Sequence, residues 1–133
     1  MTTALQNYNG ITLAYLGDAV LELLIREALL ASGVSDTGRL SAAAQRLVCA
    51  PAQSKIAEAL LPSLTADEEA AYRLGRNHRV NGKPKNASAA EYSRATGLEA
   101  VFGYLHVMGE RERIRALFEA GYAEPLKEVC EKI

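Results

Sequence analysis

Two acidic residues stand inside helical stretches that otherwise read as buried. Asp18 lies in Leu13-Ala14-Tyr15-Leu16-Gly17-Asp18-Ala19-Val20-Leu21-Glu22-Leu23-Leu24-Ile25, and Glu99 in Gly97-Leu98-Glu99-Ala100-Val101-Phe102-Gly103-Tyr104-Leu105. An unpaired carboxylate in an apolar wall is costly, so an arginine, a proton or a divalent metal ion must compensate it. On a helix, residues three, four and seven apart share a face. Around Asp18 that face holds Ile11, Ala14, Tyr15, Leu21, Glu22 and Ile25. Around Glu99 it holds Tyr92, Ala95, Thr96, Phe102, Gly103 and His106. Small residues flank both acids, Ala14 and Gly17 on one side, Ala95 and Gly103 on the other, and they let two helices approach closely or leave room for a ligand.

If the two stripes face each other, Asp18 and Glu99 could share one hard cation. Mg²⁺ takes one or two carboxylates plus several waters, lowers the pKa of a bound water and offsets charge on a phosphate oxygen. The competing reading satisfies each acid separately, with an arginine or helix N-terminal amides, and spacing alone does not exclude it. Glu22 shares the face of Asp18 but is better placed to pair with Arg26 one turn later. His106 reads as a core or surface histidine, while His78 has the better claim to a phosphate. Ser41, Ser54 and Ser88 have no histidine at meaningful spacing, and Gly75 belongs to no phosphate-cradling loop.

The elements that must position these residues are helices. The 133 residues suit one domain with one core, and 49% of them are hydrophobic. Ala and Leu abound, β-branched runs are few, and nothing alternates with period two, so no sheet is expected. The first helix should run from about Ile11 to Ala31 and stop at Gly33. A second, capped by Asp36 or Thr37, should reach about Cys49. Pro51 opens a third that Pro62 ends. Thr65-Ala66-Asp67-Glu68 is a capping box for a fourth, to about Arg76. Asn77–Asn86 reads as a loop. A fifth runs from about Ser88 to Met108, where Gly109 breaks it. The last begins near Glu110 and should be interrupted around Gly121 and Pro125.

The net charge of −1 hides an asymmetry. Residues 73–94 hold Arg73, Arg76, Arg79, Lys83, Lys85 and Arg94 against Glu91 alone, a local +5 on a body that is otherwise acidic. Such a segment can be a solvated loop, but its concentration in one place suits nucleic acid. Cys49 and Cys130 lack metal-ligand spacing and read as reduced thiols of a cytoplasmic protein. The N-terminus has no secretory pattern, and residues 11–25 are too short and too acidic to span a membrane.

The segment Leu16-Gly17-Asp18-Ala19-Val20-Leu21-Glu22 resembles the signature helix of the ribonuclease III family, and Leu98–Leu105 resembles that family's second acidic helix. Gly75-Arg76-Asn77-His78 followed by Lys83-Pro84-Lys85-Asn86 resembles the Mini-ribonuclease III branch. The likeness runs in order from about Leu5 to Leu117. It implies an all-α ribonuclease III catalytic-domain-like bundle over residues 1–133, a homodimer, and Mg²⁺-dependent endonucleolytic cleavage of double-stranded RNA to 5′-phosphate and 3′-hydroxyl ends, with Mn²⁺ able to substitute. For this branch it implies maturation of the large-subunit (23S) ribosomal RNA precursor in the bacterial cytoplasm. Asp18 and Glu99 match the family's metal-binding catalytic acids. The larger enzymes carry a glutamate where Ala14 stands and an aspartate where Thr96 stands, so one well-held Mg²⁺ per site is expected, with any second ion weak and arriving with substrate. The larger enzymes also continue into a double-stranded-RNA-binding domain beyond the point where this chain stops. RNA affinity is therefore expected from the loop at about 75–87, through Arg76, Asn77, His78, Arg79, Lys83, Lys85 and Asn86. A-form duplexes are read largely by shape, so selection of one ribosomal RNA site would rest on RNA tertiary structure or a ribosomal protein. Two other readings compete: a non-catalytic dimeric RNA-binding module on the same fold, favoured by Ala14 and Thr96, and a protein-interaction bundle without an RNA role.

Overall fold

The computed structural model describes residues 3–78 and 87–133. Seven α-helices follow one another: α1 (Thr3–Asn7), α2 (Gly10–Ala31), α3 (Thr37–Val48), α4 (Ala50–Leu60), α5 (Ala66–Arg76), α6 (Ala89–Val107) and α7 (Arg111–Glu131), with a 3₁₀ turn at Leu61–Ser63 after α4. The described residues form no strand.

Local chemistry sets most boundaries. Asn9 starts α2, its side chain accepting from the Thr12 amide at 2.8 Å. Asp36 caps α3 through the Gly38 and Arg39 amides. Thr65 and Glu68 close a reciprocal capping box on α5, and Ser88 and Glu91 do the same on α6. Gly33 and Gly109, at φ +92° and +71°, take the left-handed conformation that follows α2 and α6.

Helix α6 is the centre. It packs most extensively against α2, then α5 and α4. From Ala95 to Leu105 every residue is buried except Glu99, as expected of a helix that is apolar all round. The core gathers Leu13, Leu21, Ile25, Leu29, Leu47, Val101, Phe102, Leu117 and Tyr122 around it.

Two expectations need correction. Helix α7 is continuous through Gly121 and Pro125. Proline removes one amide and presses on the carbonyl four residues earlier, but Ile114, Leu117, Gly121, Tyr122 and Val129 are buried on both sides of it. Packing along the whole face outweighs the local break. Gly121 sits so close to α4 that a Cβ there would lie 2.9 Å from Ile56 Cγ2. The second correction concerns Asp18, which is exposed rather than set in a buried wall. Helix α2 is apolar on two faces: Leu13, Ala14, Gly17, Leu21, Ile25 and Leu29 face the core, whereas Ile11, Tyr15, Leu23 and Leu30 face solvent, Tyr15 at 84% exposure.

Candidate active site

The two acids meet because two glycines let their helices touch. A Cβ on Gly17 would fall on the Glu99 carbonyl oxygen, and a Cβ on Gly103 would fall on the Leu13 carbonyl oxygen. With both side chains absent, α2 and α6 run backbone against backbone. The Asp18 and Glu99 carboxyls then lie within hydrogen-bonding reach of each other.

Their environments differ. Asp18 is open to solvent and Glu99 is half-buried. Burial first, then the Asp18 charge and the hydrogen bond with Asp18, push the Glu99 carboxyl up from 4.5 to about 8. Without a cation, Glu99 is therefore neutral at pH 7. The ion pairs among the described residues go elsewhere: Arg26 to Glu22, Arg73 to Glu69, Arg94 to Glu58 and Arg113 to Glu68. No described arginine pairs with either acid; Asp18 is solvated, and the half-buried Glu99 takes a proton or a cation.

The donor set suits a hard cation that keeps its waters. Among the described residues no group of three or more His, Cys, Asp and Glu side chains could hold a metal. Ala14 is buried. The Thr96 side chain is buried, its hydroxyl donating to the Tyr92 carbonyl at 2.9 Å, and it brings no negative charge to an ion. Two carboxylates on one side of an open site are what Mg²⁺ accepts when water completes its octahedron.

The other candidates divide. Glu22 pairs with Arg26 at 3.3 Å, as its spacing predicts. His106 is exposed. Arg76, Asn77 and His78 are exposed together at the end of α5. The Arg76 guanidinium lies 5.8 Å above the Tyr72 ring and donates to Asn77 Oδ1 at 3.2 Å. Arg79, Lys83, Lys85 and Asn86 lie outside the described residues. Arg73 and Arg94 are spent on Glu69 and Glu58, so the positive segment is partly neutralised at its two ends.

Sequence reasoning missed Tyr122. It is fully buried on α7, its hydroxyl has no hydrogen-bond partner among the described residues, and burial pushes that hydroxyl above the ordinary tyrosine range. It stands 23 positions from Glu99 on another helix, and its apolar neighbours Leu117, Phe118 and Leu126 mark it simply as core.

Residues 11–110 match the family described as Ribonuclease III domain. A crystallographically determined protein from Fusobacterium nucleatum superposes with a TM-score of 0.80 at 28% identity, over 90% of this chain and 96% of that one. The chain belongs to the ribonuclease III family and is an endoribonuclease. Within that family it is similar to proteins named Mini-ribonuclease 3: one from Symbiobacterium thermophilum, 44% identical over 83% of this chain and 85% of the relative, and one from Enterococcus faecalis, 40% identical over 82% and 84%.

Proposed function

We propose that the protein is a Mg²⁺-dependent endonuclease for double-stranded RNA that matures the large-subunit (23S) ribosomal RNA precursor, with Mn²⁺ able to replace Mg²⁺. One observation carries the metal assignment: two carboxyls 81 positions apart in sequence come within hydrogen-bonding reach, with no described arginine to compensate them. Asp18 and Glu99 would hold one ion. Bound there, Mg²⁺ would supply Lewis-acid stabilisation of charge on the scissile phosphate and make a water more acidic. Asp18, facing solvent, would present the ion to substrate. Glu99, anchored in α6, would fix its position and give up a proton as the ion binds. Here the RNA would be gripped by Arg76, Asn77 and His78, with Arg79, Lys83, Lys85 and Asn86 following them in the chain; such contacts to phosphate and sugar position a duplex without reading its bases. A ribosomal protein is the partner class that would supply site selection.

A homodimer is supported by the solvent face of α2. Ile11, Tyr15, Leu23 and Leu30 are exposed on it, and apolar groups exposed together on one element suit a protein–protein contact. At 100° per residue Asp18 lies at the edge of this stripe, so two copies joined there would bring two acid pairs onto one face of a duplex. No helix among the described residues is long and apolar enough to cross a membrane, and the cytoplasm, where ribosomal RNA matures, is the proposed location.

The test is incubation of structured duplex RNA with the protein, with Mg²⁺ and with EDTA, followed by analysis of the product ends. The expected result is Mg²⁺-dependent cleavage leaving 5′-phosphates. Cleavage that persists in EDTA would contradict it.

A further inference from the structure

Helix α5 ends beside a cleft of about 600 Å³ lined by Leu61, Glu69, Tyr72, Arg73, Arg76 and Asn77. Its charged groups are not equivalent. Glu69 is taken by Arg73, Oε1 to Nη2 at 2.6 Å. Arg76 has no carboxylate partner among the described residues. It is nevertheless held from two directions. Its Nε donates to Asn77 Oδ1 at 3.2 Å, and its guanidinium carbon lies 5.8 Å from the centroid of the Tyr72 ring, within cation–π range. The hydrogen bond uses Nε alone, which leaves the two terminal nitrogens for an incoming anion. Arginine meets phosphate through such a planar fork. A long exposed side chain gives up rotamer freedom when it grips a ligand, and holding it in place beforehand reduces that cost.

The ring beneath the arginine is itself fixed. Tyr72 is 3% exposed. A Cβ on Gly97 of α6 would stand 2.6 Å from Tyr72 Cε2 and 2.7 Å from Cδ2, so the edge of the ring lies flush on the α6 main chain. Gly75, the residue before Arg76, is seated as closely: a Cβ there would lie 2.7 Å from the Thr96 carbonyl oxygen. Arg76 is thus carried by a ring and a backbone that both rest on α6. The same helix carries Glu99 two positions beyond Gly97.

We propose that Tyr72 is a positioning residue for RNA: its ring, seated on Gly97, holds the Arg76 guanidinium at the α5 cleft as a preset fork for one backbone phosphate of the duplex. The inference rests on the reading of Arg76 as an RNA contact. It adds a fixed geometry to that contact and ties its position, through α6, to that of Glu99. Tyr72 acts through Arg76.

Duplex RNA binding in EDTA tests this with the wild type, Tyr72→Leu, Tyr72→Phe, Arg76→Lys, Arg76→Ala, and Tyr72→Leu combined with Arg76→Ala. Tyr72→Leu should weaken binding about threefold, the scale of an exposed cation–π contact. Tyr72→Phe keeps the ring and should bind as the wild type does. In the Arg76→Ala background Tyr72→Leu should have no further effect, a non-additivity that marks two residues acting as one unit. Arg76→Lys alters only an exposed side chain, so its result does not depend on a ring variant folding. It keeps the charge but has no plane to lie on the ring, and its binding should also be about threefold weaker. With Arg76→Ala impaired, additive losses in the double variant, a loss in Tyr72→Phe equal to that in Tyr72→Leu, or wild-type affinity in Arg76→Lys would each overturn the role of Tyr72 alone. Wild-type affinity in Arg76→Ala would overturn the reading of Arg76 as an RNA contact as well.

Discussion

Gly17 of α2 lies directly against the main-chain carbonyl of Glu99, in the space where any other residue would carry a Cβ. The acid pair is a consequence of this contact: it sets the separation of the two helices, and Asp18 is the next residue along. Gly103 and the Leu13 carbonyl make the matching contact one turn away.

Gly17→Ala should therefore push α2 from α6. Overpacking of a tight core costs about 1–3 kcal/mol, and more where backbone must move, so a loss at or above the top of that range is expected in urea denaturation. Cleavage should fall with it. The control is Gly33→Ala, at a left-handed position with open space around it. That variant should cost about 1–2 kcal/mol of backbone strain and leave cleavage intact. Equal effects of the two would refute the close-contact account.

The metal-free protein should lose stability toward alkaline pH. The Glu99 carboxyl ionises near 4.5 unfolded and about 8 folded. Its neutral form suits the folded site, so its contribution is full below pH 4.5 and is lost as pH rises through 8. Mg²⁺ should reduce that loss, and Glu99→Gln should abolish it. Thermal melts from pH 5 to 9 in EDTA would show a Tm decline in the wild type that is flattened in the variant.

Asp18→Asn and Glu99→Gln should each abolish cleavage while the fold and RNA binding persist. Each variant removes one of two carboxyls that oppose each other's ionisation, so the metal-free Tm should hold near neutral pH and rise above pH 8, where both acids of the wild type are charged. A large drop in Tm with either variant would mark the acids as structural.

Arg113→Ala should destabilise by about 3 kcal/mol, the scale seen when a buried ion pair loses one partner. Arg113 donates to both Glu68 carboxylate oxygens and to the Ser63 carbonyl, and Glu68 is 3% exposed. Burial pushes the Glu68 carboxyl up, but Arg113 and the Thr65 amide outweigh it and hold it lowered. Its contribution is present above the unfolded value and lost as pH falls, so the wild type should lose it on acidification and Arg113→Ala should show a weaker acid dependence. Denaturant titrations at pH 7 and pH 3 compare the two.

Tyr15→Asp with Leu23→Lys should yield a monomer by sedimentation, with little change in Tm per chain because both residues are exposed. A dimer that survives both charges would place the interface elsewhere.

Helix boundaries were legible because they are local. Asp36, Thr65 with Glu68, Gly33 and Gly109 each act on backbone within four residues, and each does what its type predicts. Pro125 misled because the features that keep α7 whole, the seating of Gly121 on α4 and the burial of Tyr122 and Val129, are tertiary. The acid pair was legible through its small neighbours, since glycine in a helix interior is disfavoured unless close packing needs it. Asp18 was misplaced because α2 carries apolar residues on two faces, and period alone does not say which face meets the core. Tyr122 was invisible for a similar reason: nothing local distinguishes a buried tyrosine with an idle hydroxyl from one that is simply core.

The central claim is that Asp18 and Glu99 hold one ion between them, and Mn²⁺ stoichiometry measures this directly. Titration of the wild type, Asp18→Asn and Glu99→Gln should give one site per protomer in the wild type and none in either variant over the same range. Retention of a full site by either variant, or two independent sites in the wild type, would contradict it.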